Sequence, residues 1–421
     1  MKKKGFIYFS LFLFLISYSC LDTPDMTVGI ANMKEEPTVV SGAGSSISTE
    51  GSISLTGEIQ SVGKTGKIFK KGFCWGYNEN KLTDSVFLES AQVEPGLFSY
   101  ILSNIRGDTT VYWQAFAGND YGWSFGEIRI TKTPPIFLES DAFRGLPHSY
   151  FASFTLKNNL YITSGYNNAL YRDVWRYNAI QGWYNLPDFP GTQRRYPVAF
   201  SINDSLAYVG TGQGYEGAIF GDFYVFNGNT QDWAPTLIQT PQEMLRYGAV
   251  AFSLNNKGYV VGGKISEYEL LSDVWEFSFT DSIGSLEKKK DFPTPLPNGM
   301  CFYNKNRVFV GFNNRSVENT LWEYDAVNDD WKEFPTILPT YQGGRLLINS
   351  GVMYHNKIYL LDYSNIIWEL DLETKMFKQK STLPQIFSPL TDYYMFTLDD
   401  AVYIGLGGKT FFYRYYPLWD N

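Results

Sequence analysis

The sequence predicts an all-β protein, a small sandwich near the N-terminus followed by one unit repeated six times. Three observations predict it. Aromatic residues make up 18 % of the 421 residues against 19 % charged, and 38 glycines punctuate them, a mixture suited to half-buried pleated surface joined by tight turns. Short runs of alternating apolar and polar residues recur with Gly, Asn and Asp between them. One phrase also returns along the chain, as "YRDVWRYNAIQGW" (Tyr171–Trp183), "LSDVWEFSF" (Leu271–Phe279) and "NTLWEYDAVNDDW" (Asn319–Trp331).

Composition excludes several functions. A net charge of −8 offers no basic field to a phosphate backbone and argues against nucleic-acid binding. The two histidines, His148 and His355, argue against a His-built metal site, and no Ser-His-Asp arrangement, phosphate loop or zinc spacing occurs. We therefore expect no catalytic residues, no metal and no cofactor.

Residues 1–19 read as a targeting segment. Lys2, Lys3 and Lys4 precede the apolar run "FIYFSLFLFLI" (Phe6–Ile16), which is short for a membrane span. The run ends in "SYSC", followed by the polar "LDTPD". This resembles a bacterial lipoprotein signal, with Ser17 standing where Leu is usual. The resemblance implies cleavage before Cys20, lipidation of Cys20 and anchorage in the outer membrane of a Gram-negative bacterium, on its surface or periplasmic face. Residues 20–36 are the expected lipidated Cys and tether. Cys74 and Cys301, in "GFCWG" and "GMCFY", are expected as buried free thiols.

Residues 37–134 alternate in period two, as in "EGSISLTGEIQSV" (Glu50–Val62), "IFKKGFCWGYNEN" (Ile68–Asn80) and "TTVYWQAFAGNDYGWSFGEIRITKT" (Thr109–Thr133). Together they predict a β-sandwich. The "GFCW" strand, the "GLFSY" segment (Gly96–Tyr100) and "TTVYWQAFAGNDYG" resemble the fibronectin type III-like modules of bacterial surface lipoproteins. That resemblance implies a spacer; Val111 stands where a Tyr is usual.

From residue 135 onward the chain aligns with itself. Strands "LYITSG" (Leu160–Gly165), "AYVGTG" (Ala207–Gly212), "GYVVGG" (Gly258–Gly263), "VFVGFN" (Val308–Asn313), "IYLLDY" (Ile358–Tyr363) and "VYIGLGG" (Val402–Gly408) each precede an aromatic phrase marked by Trp175, Tyr224, Trp275, Trp322, Trp368 or Tyr413. A period of roughly 50 residues with a Gly-ended strand and a Trp phrase resembles the kelch repeat, which implies one four-stranded blade per copy and a six-bladed β-propeller over residues 135–421. The last copy lacks a full outer strand, while "IFLESDAFRGLP" (Ile136–Pro147) matches the outer-strand phrase "GWYNLPDFPG" (Gly182–Gly191). Ile136–Asp141 is therefore expected to complete blade six and close the ring.

Two residue sets are candidates for ligand binding at one mouth of the ring. Arg195, Arg246 and Arg345, with Arg144 less well aligned, precede the innermost strands. Guanidinium groups there would suit carboxylates of acidic sugars or peptides; paired with an acid of the next blade, they would only join blades. The loops between second and third strands bring Tyr166, Tyr215 and Tyr268 with Asn167, Glu216 and Glu267, aromatics beside amides and carboxylates that suit sugars. The expected function is non-catalytic binding of a glycan or protein partner at the cell surface. Two alternatives stand beside it: a carbohydrate-active enzyme of the kelch sialic-acid epimerase type, with Glu216, Glu267 and the arginines as candidate acid and base, and a structural subunit of a surface complex.

Overall fold

The computed structural model describes residues 36–421 apart from 44, 49–50, 64–66, 89–94, 237, 281–282, 313–319, 342–343 and 400. Cys20, the targeting segment and the tether lie outside the described residues. The chain divides into two compact units that meet in sequence between Pro135 and Ile136. Among the described residues no helix is long and apolar enough to cross a membrane, and the ordered elements are strands with three short 3-10 turns.

The first unit holds two antiparallel sheets. One joins Thr38–Ser41, Ser46–Ile47, Ile53–Ser61 and Gly96–Leu102; the other joins Lys70–Gly76, Asp84–Leu88, Thr110–Asn119, Gly122–Phe125 and Arg129–Lys132. Alternation puts Ile53, Leu55, Ile59, Phe73, Val111 and Trp113 inside, and Phe73 of one sheet meets Phe98 of the other with ring centres 5.1 Å apart. Cys74 is buried in this unit.

The second unit is a ring of six four-stranded antiparallel sheets. Blade one runs Ala152–Leu156, Asn159–Tyr166, Leu170–Asn178, Gly182–Leu186, and blades two to five repeat that order. In each, the second strand is buried almost throughout because a sheet lies on both of its faces. Blade six has Tyr394–Leu398, Ala401–Gly405 and Phe412–Tyr415 from the end of the chain, and its outer strand is Phe137–Glu139, with Phe137 opposite Tyr415. The closing strand thus falls within the segment that sequence comparison marked for it.

The repeated aromatics form the joints. Phe143, just after the closing strand, sits 5.2 Å from Trp175 and 4.9 Å from Trp183 of blade one. Phe189, after blade one, repeats this against Tyr224 and Trp233 of blade two at 5.1 and 5.2 Å. Phe292, after blade three, sits 6.4 and 4.9 Å from Trp322 and Trp331 of blade four. Each Phe is wedged edge-on between two rings of the following blade, the T-shaped geometry that aromatic quadrupoles favour. This is why the phrase carries a Trp, a turn and a second aromatic: the pair makes one socket.

The Gly pair at the end of the second strand has a backbone reason as well as a crowding one. Ser164, Thr211 and Gly262 have φ of 65, 58 and 62°, and the next residues, Gly165, Gly212 and Gly263, have φ of 115, 107 and 94°. The first position tolerates a small side chain in the left-handed region; the second lies where only glycine is comfortable. A Cβ at Gly165 would also come within 2.7 Å of both the His148 ring and the Ser149 carbonyl.

Candidate functional site

Strand pairing sets the register of the loops that enter the innermost strands. Val198 and Val250 begin those strands in blades two and three, and four residues before them stand Arg194 and Arg246. Counting likewise from Ala152 and Met300 gives His148 and Leu296. The four are equivalent: the carbonyls of Arg194, Arg246, Leu296 and His148 accept the amides of Gly165, Gly212, Gly263 and Gly408 at 2.8, 2.8, 2.9 and 3.4 Å, stitching each blade to the one before. The shared Arg-Tyr dipeptide pairs Arg195 with Arg246 in a sequence comparison; the fold pairs Arg194 with Arg246 instead.

Arg246 is therefore a correction to the expected binding set. It is fully buried, donates to both Asp273 oxygens at 2.7 and 2.8 Å, and donates to the carbonyls of Gly262 and Glu243. No donor is left facing the mouth. Arg194 does the same with Asp222 at 2.5 and 3.0 Å, its guanidinium 5.0 and 4.2 Å from the rings of Phe189 and Phe220. These are bidentate, charge-assisted pairs within the second and third blades. Arg345 lies on the two-residue strand Gly344–Arg345, and its side chain is outside the described residues.

In blade one His148 occupies the arginine's place, between Phe143 and Tyr171 at 6.0 and 4.7 Å. Its Nδ1 lies 2.7 Å from the Leu146 carbonyl and so carries the proton. Nε2 is 4.0 Å from Asp173 Oδ1, and both atoms are buried with no hydrogen-bond partner. We expect His148→Arg to complete the clamp and raise the unfolding midpoint by about 2–4 °C, roughly 1 kcal/mol, measured by calorimetry. A lower midpoint would mean that the blade-one slot cannot hold the longer side chain.

The mouth itself is built two residues before each innermost strand, by Tyr150, Tyr196, Gly248, Asn298 and Asp392 in blades one, two, three, four and six. Four of these, Tyr150, Tyr196, Gly248 and Asn298, have φ between 51 and 62°, turning the chain sharply inward. They line a cavity of about 560 Å³, together with Lys264, Glu267, Asn349 and Tyr394, within the range of small-ligand sites. The Tyr150 and Tyr196 rings lie 4.5 Å apart at 30°. Asp392 accepts hydrogen bonds from the hydroxyls of Tyr363 at 2.8 Å and Tyr150 at 3.3 Å. The Tyr394 hydroxyl accepts the Tyr150 amide at 2.8 Å, and burial pushes its own ionisation well above the usual tyrosine range.

Of the residues singled out in the sequence, Glu267, Arg195 and Tyr166 come to this mouth or its rim. Glu267 accepts from Lys264 Nζ at 2.7 and 2.8 Å and from the Tyr247 hydroxyl at 3.1 Å. The hydrogen bonds and charge of Lys264 hold its carboxyl below the usual carboxylate range. Arg195 donates through Nε and Nη2 to Gln213 Oε1 at 3.0 and 2.8 Å, with the Tyr166 ring 5.3 Å away. Tyr215 instead leans to blade one, its hydroxyl accepting the Leu170 amide. Tyr268 is 98 % exposed, and Glu216 sits on an exposed turn; neither lines the cavity. Sequence reading missed Tyr150, Tyr196, Asn298, Asn349 and Asp392.

Cys301 is a free, partly exposed thiol among the residues lining the cavity, and desolvation pushes its ionisation up to about 12. His355 lies in the hairpin turn of blade five beside a different cavity, of about 450 Å³ with Asp204 and Asp399. Among the described residues no group of three His, Cys, Asp or Glu is placed to hold a metal ion.

Six four-stranded blades around a lined central mouth define a β-propeller of the kelch class. The family described as the KLHDC2/KLHL20/DRC7 Kelch-repeats domain matches residues 148–361, and the chain belongs to that kelch-repeat family. No curated protein matches the chain. Among solved structures, one titled "Structure of YjhT" is similar with a TM-score of 0.49 at 14 % identity, over 65 % of this chain and 95 % of that one.

Proposed function

We propose that this protein is a lipid-anchored surface lipoprotein whose propeller binds a glycan, without turning it over, at the mouth lined by Tyr150, Tyr196, Asn298 and Asp392. The observation that supports the reading is the half-buried Tyr150–Tyr196 pair standing beside the hydrogen-bonded carboxylate of Asp392 in one cavity. Aromatic rings supply apolar faces for a pyranose, and carboxylates and amides supply the directional partners its hydroxyls need. In this reading Cys20 carries the lipid in the outer membrane and the first unit, a fibronectin type III-like sandwich, holds the propeller away from it.

Titration of the full-length chain against a saccharide panel, followed by saturation-transfer NMR, tests the binding. Tyr196→Ala is expected to weaken a bound sugar by roughly tenfold, the loss of one aromatic face, and the sugar should be recovered with unchanged spectra. Turnover of the sugar would replace the binding reading with an enzymatic one. Absence of any sugar binding would remove it.

A further inference from the structure

The charge layout of the mouth goes further than the glycan reading on which it rests. Among the described residues three charged side chains line the cavity: Lys264, Glu267 and Asp392. Lys264 and Glu267 neutralise each other through two hydrogen bonds, with the ammonium 5.1 Å from the Tyr247 ring. Arg195, a further cation at the rim among the described residues, is held on Gln213 and packed against Tyr166 and Tyr196 rather than lining the cavity. Asp392 is different. Its oxygens take hydroxyl protons from Tyr363 and Tyr150, and among the described residues no cation lies within ion-pair distance of it.

A half-buried carboxylate that accepts one hydrogen bond from each of two neutral hydroxyls still has lone pairs to offer to the cavity it lines. A second carboxylate brought beside it, with protein walls replacing water, raises the energy of both. Hydroxyl groups do the opposite, since each can donate to Asp392 without adding charge. We infer that the ligand is a pyranose carrying no anionic group, bound with its hydroxyls on Asp392, and that uronic and sialic acids are rejected. Of the arginines that raised the opposite expectation, Arg246 is locked inside its blade and Arg195 stands off the cavity, while the Arg345 side chain lies outside the described residues.

The test uses one sugar skeleton with three charges: glucose, glucosamine and glucuronic acid, and the matching galactose series, each as methyl glycoside and as tetrasaccharide. Affinities for the full-length chain are read by saturation-transfer NMR with competition. The neutral or amino member is expected to bind roughly tenfold or more tightly than the uronic acid. Asp392→Asn should bring the uronic acid level with the neutral sugar. Should that variant fail to fold, the same electrostatic origin is read in the native protein, where raising ionic strength from about 20 mM to about 500 mM should narrow the gap. A uronic or sialic acid bound as tightly as its neutral counterpart overturns the charge inference and leaves glycan binding intact. No binding by any member of either series overturns both.

Discussion

A chain carrying Arg246→Leu is expected to lose about 3–5 kcal/mol of stability, a fall in unfolding midpoint on the order of 10 °C. The substitution fills much of the arginine's volume but strands its partners. Asp273, with a side chain only 15 % exposed, would lose both guanidinium hydrogen bonds, and the carbonyls of Gly262 and Glu243 would lose their donor. A buried carboxylate without its cation costs far more than the pair contributes. Acidity gives the result a signature. Burial alone would push the Asp273 carboxyl up, but the hydrogen bonds and charge of Arg246, helped by Trp275, outweigh it and hold the carboxyl below its ordinary value. A depressed carboxylate stabilises the fold at pH above its unfolded-state value of about 3.9 and loses that contribution as pH falls through the folded-state value. The gap between native and variant should therefore be widest near neutrality and narrow in acid, where Asp273 of the variant takes up a proton. Equal midpoints at neutral pH would show that the clamp contributes nothing.

Phe143→Ala is expected to be as damaging, at about 3–5 kcal/mol, although the residue lies in sequence before the first blade. Its ring is 4 % exposed and fills the socket between Trp175 and Trp183, and its amide donates to the Thr410 carbonyl of the last blade. Removing the ring empties the joint where the two ends of the propeller meet. The equivalent change at Phe189 should cost a similar amount without touching ring closure. Comparing the two by denaturant unfolding separates cavity from closure. If Phe143→Ala alone lowers the slope of the transition or splits it in two, closure is what holds the unit cooperative.

How much of this could be read in the sequence depends on how many residues write each feature. The blades were legible because Trp175, Tyr224, Trp275, Trp322, Trp368 and Tyr413 repeat one physical demand, a large ring at a joint. The closing strand was legible because Phe137 and Phe143 keep the spacing of Trp183 and Phe189. The arginine assignment was not. "RRYP" and "LRYG" offer the same dipeptide in two registers, and only the strand starts at Val198 and Val250 reveal that Arg194 answers Arg246. The mouth was least legible, because Tyr150, Tyr196, Gly248, Asn298 and Asp392 share a place and no chemistry. Binding sites differ from blade to blade where joints must not, so periodicity finds the scaffold and passes over what it carries.

The closing strand has one more consequence, in the order of synthesis. Phe137–Glu139 is made before the first five blades, and its partner Phe412–Tyr415 only after them. Until then five blades stand as an open arc, with the inner face of the first waiting for the sixth. The nascent arc carries an unpaired strand at its far edge, the kind of surface that recruits other chains. A premature stop a few residues short of Phe412 would thus leave Phe137–Glu139 without its partner and forfeit the ring.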